Sequence, residues 1–350
     1  MRRLKVFEVS SEKSRTELGA RSPVRGFALL LLAATWLPQA ACSAPAETQA
    51  PDEPIPVVMQ FDWIFNAQFA GFYQAIEQGY YAEAGLEVEL RGGVTTEKTV
   101  PVTINEPKIS FGSTESNVLL GDAAAGAPVR AIGTMFQDSP MGWMYLADGP
   151  VQSFADLATE RVGIHADGVR VIALLLEEAG VDTSELETFK ASYDPQQILD
   201  GEADALQCYY IDEFVLFEQM VGDRAKVFLA RDHGYKAYSQ VMFTHVDTIE
   251  AHPEVVRKFL AATKKGWQYA FDHPEETVDL IISKYNPEID RDYQIGSLAK
   301  IEELMVPEPG ALFRPMDPAV WEAGHSKLLD SGLLEASVDI ATLLDQRFLP

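Results

Sequence analysis

The chain has 350 residues, 47% of them hydrophobic, with 28 Lys and Arg against 53 Asp and Glu. Seven of the basic residues and three of the acids fall within residues 1–42, so residues 43–350 carry a net charge of −29. A surface this acidic repels nucleic acid and anionic lipid, which excludes partnership with either through charge.

The N-terminus reads as an export signal. Arg2, Arg3, Lys5, Lys13, Arg15, Arg21 and Arg25 precede an apolar run, 27–37, which ends at Pro38 and the small residues Ala40 and Ala41. That is the layout of a secretory signal. The run falls short of the roughly 20 apolar residues that span a bilayer. Cys42 follows Ala40-Ala41 and resembles the lipidated cysteine of a bacterial lipoprotein, although Gln39 stands where that motif carries Leu. Residues 43–55 are rich in Ala, Pro and acids and read as a disordered tether. The expected location is therefore the periplasm or cell envelope, with attachment to the membrane through Cys42 alone.

From residue 57 the pattern alternates short β-like runs with amphipathic stretches. Strands are predicted at 57–61, 86–90, 108–112 and 129–135, with helices at 70–84 and 115–125. The alternation repeats as strands 161–164, 187–190, 205–209 and 226–230, with helices 169–179, 195–199 and 213–220 between them. Strands separated by helices imply right-handed crossovers and largely parallel sheets covered on both faces. After a strand-like run at 240–244 the chain turns helical. Pro253 and Glu254 open a helix, and Val256, Phe259, Leu260, Thr263, Trp267, Ala270 and Phe271 share one face of it as core. Further helices are predicted at 275–284, 291–303 and 340–346. A chain this long exceeds one comfortable core and points to two lobes.

Signals of catalysis are absent. There is no G-x-S-x-G, Gly-rich phosphate loop, H-E-x-x-H or C-x-x-C, and the six histidines lack metal-ligand spacing. Cys208, the one cysteine after Cys42, cannot form an internal disulfide and reads as a packing residue. No enzyme activity, cofactor or metal is expected. Binding has better support, because ligands in open α/β sheets sit beyond the carboxyl ends of the strands. The first strand runs into Asp62, Trp63, Phe65, Asn66 and Phe69. The strand 108–112 runs into the capping sequence Ser113-Thr114-Glu115. Strand 161–164 leads to Asp167, and strand 205–209 ends at Tyr209 and leads into Tyr210, Asp212 and Glu213. Aromatic faces and carboxylates together suit a flat ligand bearing amino or ring N–H donors, whereas an anion would call for Arg or Lys.

Four segments, FDWIFNAQFAGFYQAIEQGYYAEAGLEVEL (61–90), GAPVRAIGTMFQDSP (126–140), DALQCYYIDEFVLFE (204–218) and the run 234–276, resemble the SsuA/THI5-like periplasmic substrate-binding proteins of ABC importers. These are relatives of thiamine-pyrimidine synthase and of the alkanesulfonate-binding proteins. The resemblance implies an α/β, type II periplasmic-binding-protein fold of two lobes, 56–145 plus 245–350 and 146–244, joined by two hinge strands. It implies a monomer that carries a small molecule to a membrane permease. The Asp62-Trp63 and Asn66 positions resemble binders of thiamine pyrimidines, while the AQFAGFY wording (67–73) is closer to riboflavin-type relatives. Tyr209, Tyr210 and Glu213 match the family's ligand-contacting tyrosine, aromatic and Glu. In the synthase, a cofactor-anchoring Lys and a sacrificed His align with Thr114 and Val118 here, so the amine needed for a Schiff base is missing.

Overall fold

The computed structural model describes residues 53–350 apart from 94–95 and 166–167. Cys42, the export signal and residues 43–52 lie outside the described residues. The described residues form ten strands: β1 (Ile55–Gln60), β2 (Leu86–Arg91), β3 (Ile109–Thr114), β4 (Val129–Phe136), β5 (Met141–Leu146), β6 (Val162–Ile164), β7 (Thr188–Lys190), β8 (Ala205–Tyr209), β9 (Ala225–Leu229) and β10 (Ser239–His245). They form two five-stranded sheets, ordered β2-β1-β3-β10-β4 and β7-β6-β8-β5-β9. β1 is buried on both faces from Val57 onward, as a strand between two helical layers must be.

Each sheet is parallel except for one strand. β10 runs antiparallel between β3 and β4, and β5 runs antiparallel between β8 and β9. Those two strands correct the expected lobe boundaries. β5 pairs only with strands of the second sheet, so the first crossing is 137–140 and not 145/146. β10 is inserted into the first sheet by ladders on both sides, so the second crossing is 230–238 and not 244/245. The crossings are a loop and a short 3-10 turn (Ala230–His233) with its following loop, in place of the expected hinge strands.

The first lobe is built around helix Pro253–Asp272, which packs on helix Ala70–Glu77. Phe111 stacks on Phe259 at 4.0 Å, and Phe61 on Phe69 at 3.9 Å. The two helices touch backbone to backbone: a Cβ on Gly266 would lie 2.0 Å from the Gly71 carbonyl oxygen. The predicted helix 70–84 is broken at Gly79, whose φ of 75° starts a separate turn, Tyr80–Glu83. The predicted 275–284 is helix Pro274–Leu280 followed by a π turn, and the predicted 340–346 shortens to Ile340–Leu343. Helices Thr96–Ile104 and Pro318–Asp330, and strand β5, were not expected. Among the described residues no helix is long and apolar enough to cross a membrane.

Candidate ligand-binding site

The crossings leave the first sheet from the end of β4 and return to the start of β10. They therefore bring one edge of that sheet, with the carboxyl ends of β1 and β3, toward the carboxyl ends of β6, β7 and β8. Two open hollows lie elsewhere. One is lined by Thr159, Arg161 and Glu187 at the opposite ends of the second-lobe strands, the other by Glu77, Glu276 and Asp279 beside helix Ala70–Glu77. The chemistry gathers at the facing strand ends.

On the first lobe, Asp62 follows β1 and is almost fully buried. Both its carboxyl oxygens accept from the Gln240 side-chain amide, each at 3.1 Å. Burial outweighs those bonds and lifts the carboxyl from 3.8 to about 7. The Gln240 side-chain amide oxygen and the Ser113 hydroxyl are buried without partners. Glu115, just past β3, accepts from the Ser239 hydroxyl at 2.5 Å, which fixes the start of β10 against the end of β3. Thr114 is buried and its hydroxyl turns to the Thr96 carbonyl at 3.4 Å. Trp63 is half-buried at the edge of this floor.

On the second lobe, Glu213 accepts from the Tyr209 backbone N–H at 2.7 Å, so the helix Glu213–Val221 is fastened to the end of β8. Asp212, half-buried beside it, is pushed up to about 6 by burial. The Gln207 side chain accepts from the His165 backbone N–H at 3.0 Å and so joins the ends of β6 and β8. Burial, then the negative charge of Glu213, drives the Cys208 thiol well above its usual range, and the side chain is packed as the sequence suggested. Among the described residues no group of His, Cys, Asp and Glu is disposed to hold a metal ion.

Of the predicted residues, Asp62, Trp63, Thr114 and Glu115 gather on one lobe, with Tyr209 and Glu213 at the strand end of the other. Asp167 lies outside the described residues. Four other predicted residues have contacts within the protein. Phe69 is fully buried against Phe61 and belongs to the core, and half-buried Phe65 packs edge-on to Phe61, Tyr73 and Tyr285 at the core's margin. Asn66 is a helix cap whose side chain accepts from the Gln68 N–H at 3.0 Å. Tyr210 turns away to helix Arg291–Met305, where its hydroxyl donates to Glu303 at 3.1 Å and the Lys300 ammonium lies 4.1 Å over its ring. Gln240 and Tyr193 were missed, and Ser113 was named only as part of a capping sequence. Tyr193 follows β7, and its place at a predicted strand end was the available signal; Gln240 had none.

A model of the family described as NMT1/THI5 like matches residues 66–277. The chain belongs to the NMT1/THI5-like family. Within related sequences, the formylaminopyrimidine-binding protein of Halalkalibacterium halodurans is 26% identical over 301 residues, covering 84% of this chain and 89% of that protein. The riboflavin-binding protein RibY of Chloroflexus aurantiacus is 25% identical, covering 92% and 95%. A 4-amino-5-hydroxymethyl-2-methylpyrimidine phosphate synthase of Legionella pneumophila is 25% identical over a shorter 64% and 72%. In three dimensions the chain is similar to the periplasmic aliphatic sulphonate binding protein SsuA of Escherichia coli, with TM-score 0.66, 13% identity, and 84% and 92% coverage. The family member described here thus has the periplasmic-binding-protein fold, two mixed sheets flanked by helices.

Proposed function

We propose that the protein is the solute-binding component of an ABC importer, exported to the cell envelope and tethered there through Cys42. It holds a small flat nitrogenous molecule between its lobes and presents the closed form to a permease. The observation that carries this reading is the buried Asp62–Gln240 pair beside Trp63, facing a strand end that bears Tyr209 and Glu213. Carboxylate and carbonyl oxygens accept from ring N–H and amino groups, while aromatic faces stack on a planar ring. The formylaminopyrimidine-binding and riboflavin-binding relatives align over most of both chains, which supports a thiamine-pyrimidine precursor first and a riboflavin-like molecule second. Ligand bridging both lobes favours the closed state through its differential affinity.

The synthase relative motivates a second reading, an enzyme; the family resemblance implies that such an enzyme holds its cofactor on a lysine. The residues here do not fit that group at the aligned position. Thr114 is buried and its hydroxyl is turned to Thr96, so no amine is offered for an imine. Transport is therefore preferred. The test is thermal unfolding with formylaminopyrimidine, hydroxymethylpyrimidine, riboflavin, taurine and nitrate. A ligand at about 100 times its Kd stabilises by about 2.7 kcal/mol, a rise of several degrees in Tm. A rise with a pyrimidine or the flavin is expected; a rise with taurine or nitrate alone overturns the proposal.

A further inference from the structure

We infer that Tyr193 and Trp63 form a latch at the mouth of the cleft, and that Tyr193 sets how long a flat ring stays bound. The ligand class in this inference rests on the function proposed above; the latch itself rests on topology and contacts.

Both crossings join β4 and β10 of one sheet to β5 and β9 of the other, so that side of the molecule is the pivot. β1 stands three strands from β4, and β7 stands three strands from β5. Neighbouring strands lie about 4.8 Å apart, so residues following β1 and β7 meet about 14 Å from the pivot. Trp63 follows β1 and Tyr193 follows β7, and their ring centroids are 6.0 Å apart, tilted by 57°. Beside the pivot the lobes are held differently: Ser297 donates to the Ile211 carbonyl at 2.5 Å, and Lys300 pairs with Glu218 at 3.0 Å. A contact at the end of the lever resists opening with far greater leverage than one at its base.

Tyr193 is 60% exposed, yet its loop is firmly built. The Ala191 N–H donates to Ile164 at 3.1 Å, and the Gln197 side chain accepts from both the Ser192 N–H (3.0 Å) and its hydroxyl (2.8 Å). The ring rests on His165 at 4.4 Å and reaches the other lobe through Trp63. Trp63 is anchored in turn, its carbonyl accepting from the Gly93 N–H at 3.1 Å. An exposed ring held this way adds little to either core, and its apolar face is directed across the cleft.

Tryptophan emission reads this contact. Trp143, Trp267 and Trp321 are buried to 2% exposure or less, so Trp63 is the described tryptophan that solvent reaches. The purified full chain with Trp36→Phe, with and without Tyr193→Ala or Tyr193→Phe, is quenched with acrylamide. Removing the ring should raise quenching about twofold, whereas Phe keeps the apolar face and should match the parent. Stopped-flow release of formylaminopyrimidine or riboflavin should be about three- to tenfold faster from Tyr193→Ala, as loss of one aromatic pair implies, with association little changed. Parent-like quenching in Tyr193→Ala overturns the latch, and parent-like release overturns its role in retention. If the parent binds neither pyrimidine nor the flavin, the proposed function fails, while the latch still stands or falls on quenching.

Discussion

The side-chain amide of Gln240 donates to both carboxyl oxygens of Asp62 across 178 residues of sequence. Gln240 does so from a φ of 54°, the left-handed region that a non-glycine residue occupies at a cost of about 1–2 kcal/mol. Such strain persists where neighbours over-determine the backbone. Ser239 is pinned by Glu115 and paired with Phe136, and Val241 is paired with both Thr114 and Thr134. The strained residue thus ties the end of β1 to the first residues after the returning crossing, so the floor of the candidate site and the pivot are one bonded unit.

The Asp62 carboxyl gives that unit a pH dependence. It ionises near 3.8 in the unfolded chain and near 7 in the folded one, because burial disfavours the charge. Between those values the folded state holds the extra proton. This contribution is therefore complete below about pH 4, is lost as pH rises through 7 and is level above, a total of about 4 kcal/mol at 1.36 per pH unit. Asp62→Asn keeps an acceptor for Gln240 and cannot ionise. Urea unfolding should show a smaller loss of stability from pH 5 to pH 8 in the variant, and a more stable variant at pH 8. Asp212, raised to about 6, leaves part of the slope in place. Parallel profiles for parent and variant would refute the assignment to Asp62.

The Gly71–Gly266 crossing holds the helix that follows the Asp62–Phe69 segment. Gly266→Ala places a Cβ 2.0 Å from the Gly71 oxygen and 2.7 Å from the Ala75 nitrogen, both backbone atoms that cannot swing aside. Overpacking of this kind costs about 1–3 kcal/mol or more. Gly324→Ala, within helix Pro318–Asp330 with open space where its Cβ would go, should be neutral or stabilising by about 0.5–1 kcal/mol. Urea midpoints of the two variants should move in opposite directions or differ by at least the cost of the clash.

What the sequence disclosed follows from how each signal is generated. The strand–helix alternation and the Pro253 start are local patterns, and both sheets and helix Pro253–Asp272 follow them. Helix Thr96–Ile104 carries Pro101 and several β-branched residues, so propensity argues against it; tertiary packing under β3 overrides propensity. β5 is a six-residue apolar run that periodicity alone leaves ambiguous, and missing it displaced the lobe boundary. In the site, proximity to a strand end located Asp62, Trp63 and Glu213. It could not separate Trp63 from Phe65 and Phe69, because an aromatic in a loop reads the same whether it faces the cleft or folds back on Phe61. Gln240 was invisible, since its role depends on a backbone angle and a partner far away in sequence.

Tyr209 and Tyr210 are adjacent in sequence but should behave differently. Tyr210 is committed to Glu303 and Lys300 on helix Arg291–Met305, and its phenol is raised chiefly by burial. Tyr210→Phe removes one hydroxyl bond worth about 0.5–1.5 kcal/mol and keeps the face under Lys300. Its affinity for a ligand identified by the thermal panel should stay within about twofold of the parent, less than the loss of one hydrogen bond to ligand would cause. Calorimetric titration showing a larger loss would return Tyr210 to the site.

Trp63 and Phe69 make the sharpest contrast within one segment. Phe69 is fully buried and stacked on Phe61 at 3.9 Å, so Phe69→Ala should cost about 3–5 kcal/mol of stability, the range for deleting a buried aromatic ring. Trp63 is half-buried, and its ring faces Tyr193 of the other lobe. Trp63→Ala should leave the urea midpoint close to the parent while weakening ligand binding about tenfold or more, as removal of an aromatic anchor at an interface does. The folded fraction of Phe69→Ala, measured at low temperature, should bind with near-parental affinity, since its ring touches core and not cleft. A Trp63→Ala protein as unstable as Phe69→Ala, with affinity unchanged, would place both rings in the core and remove Trp63 from the site.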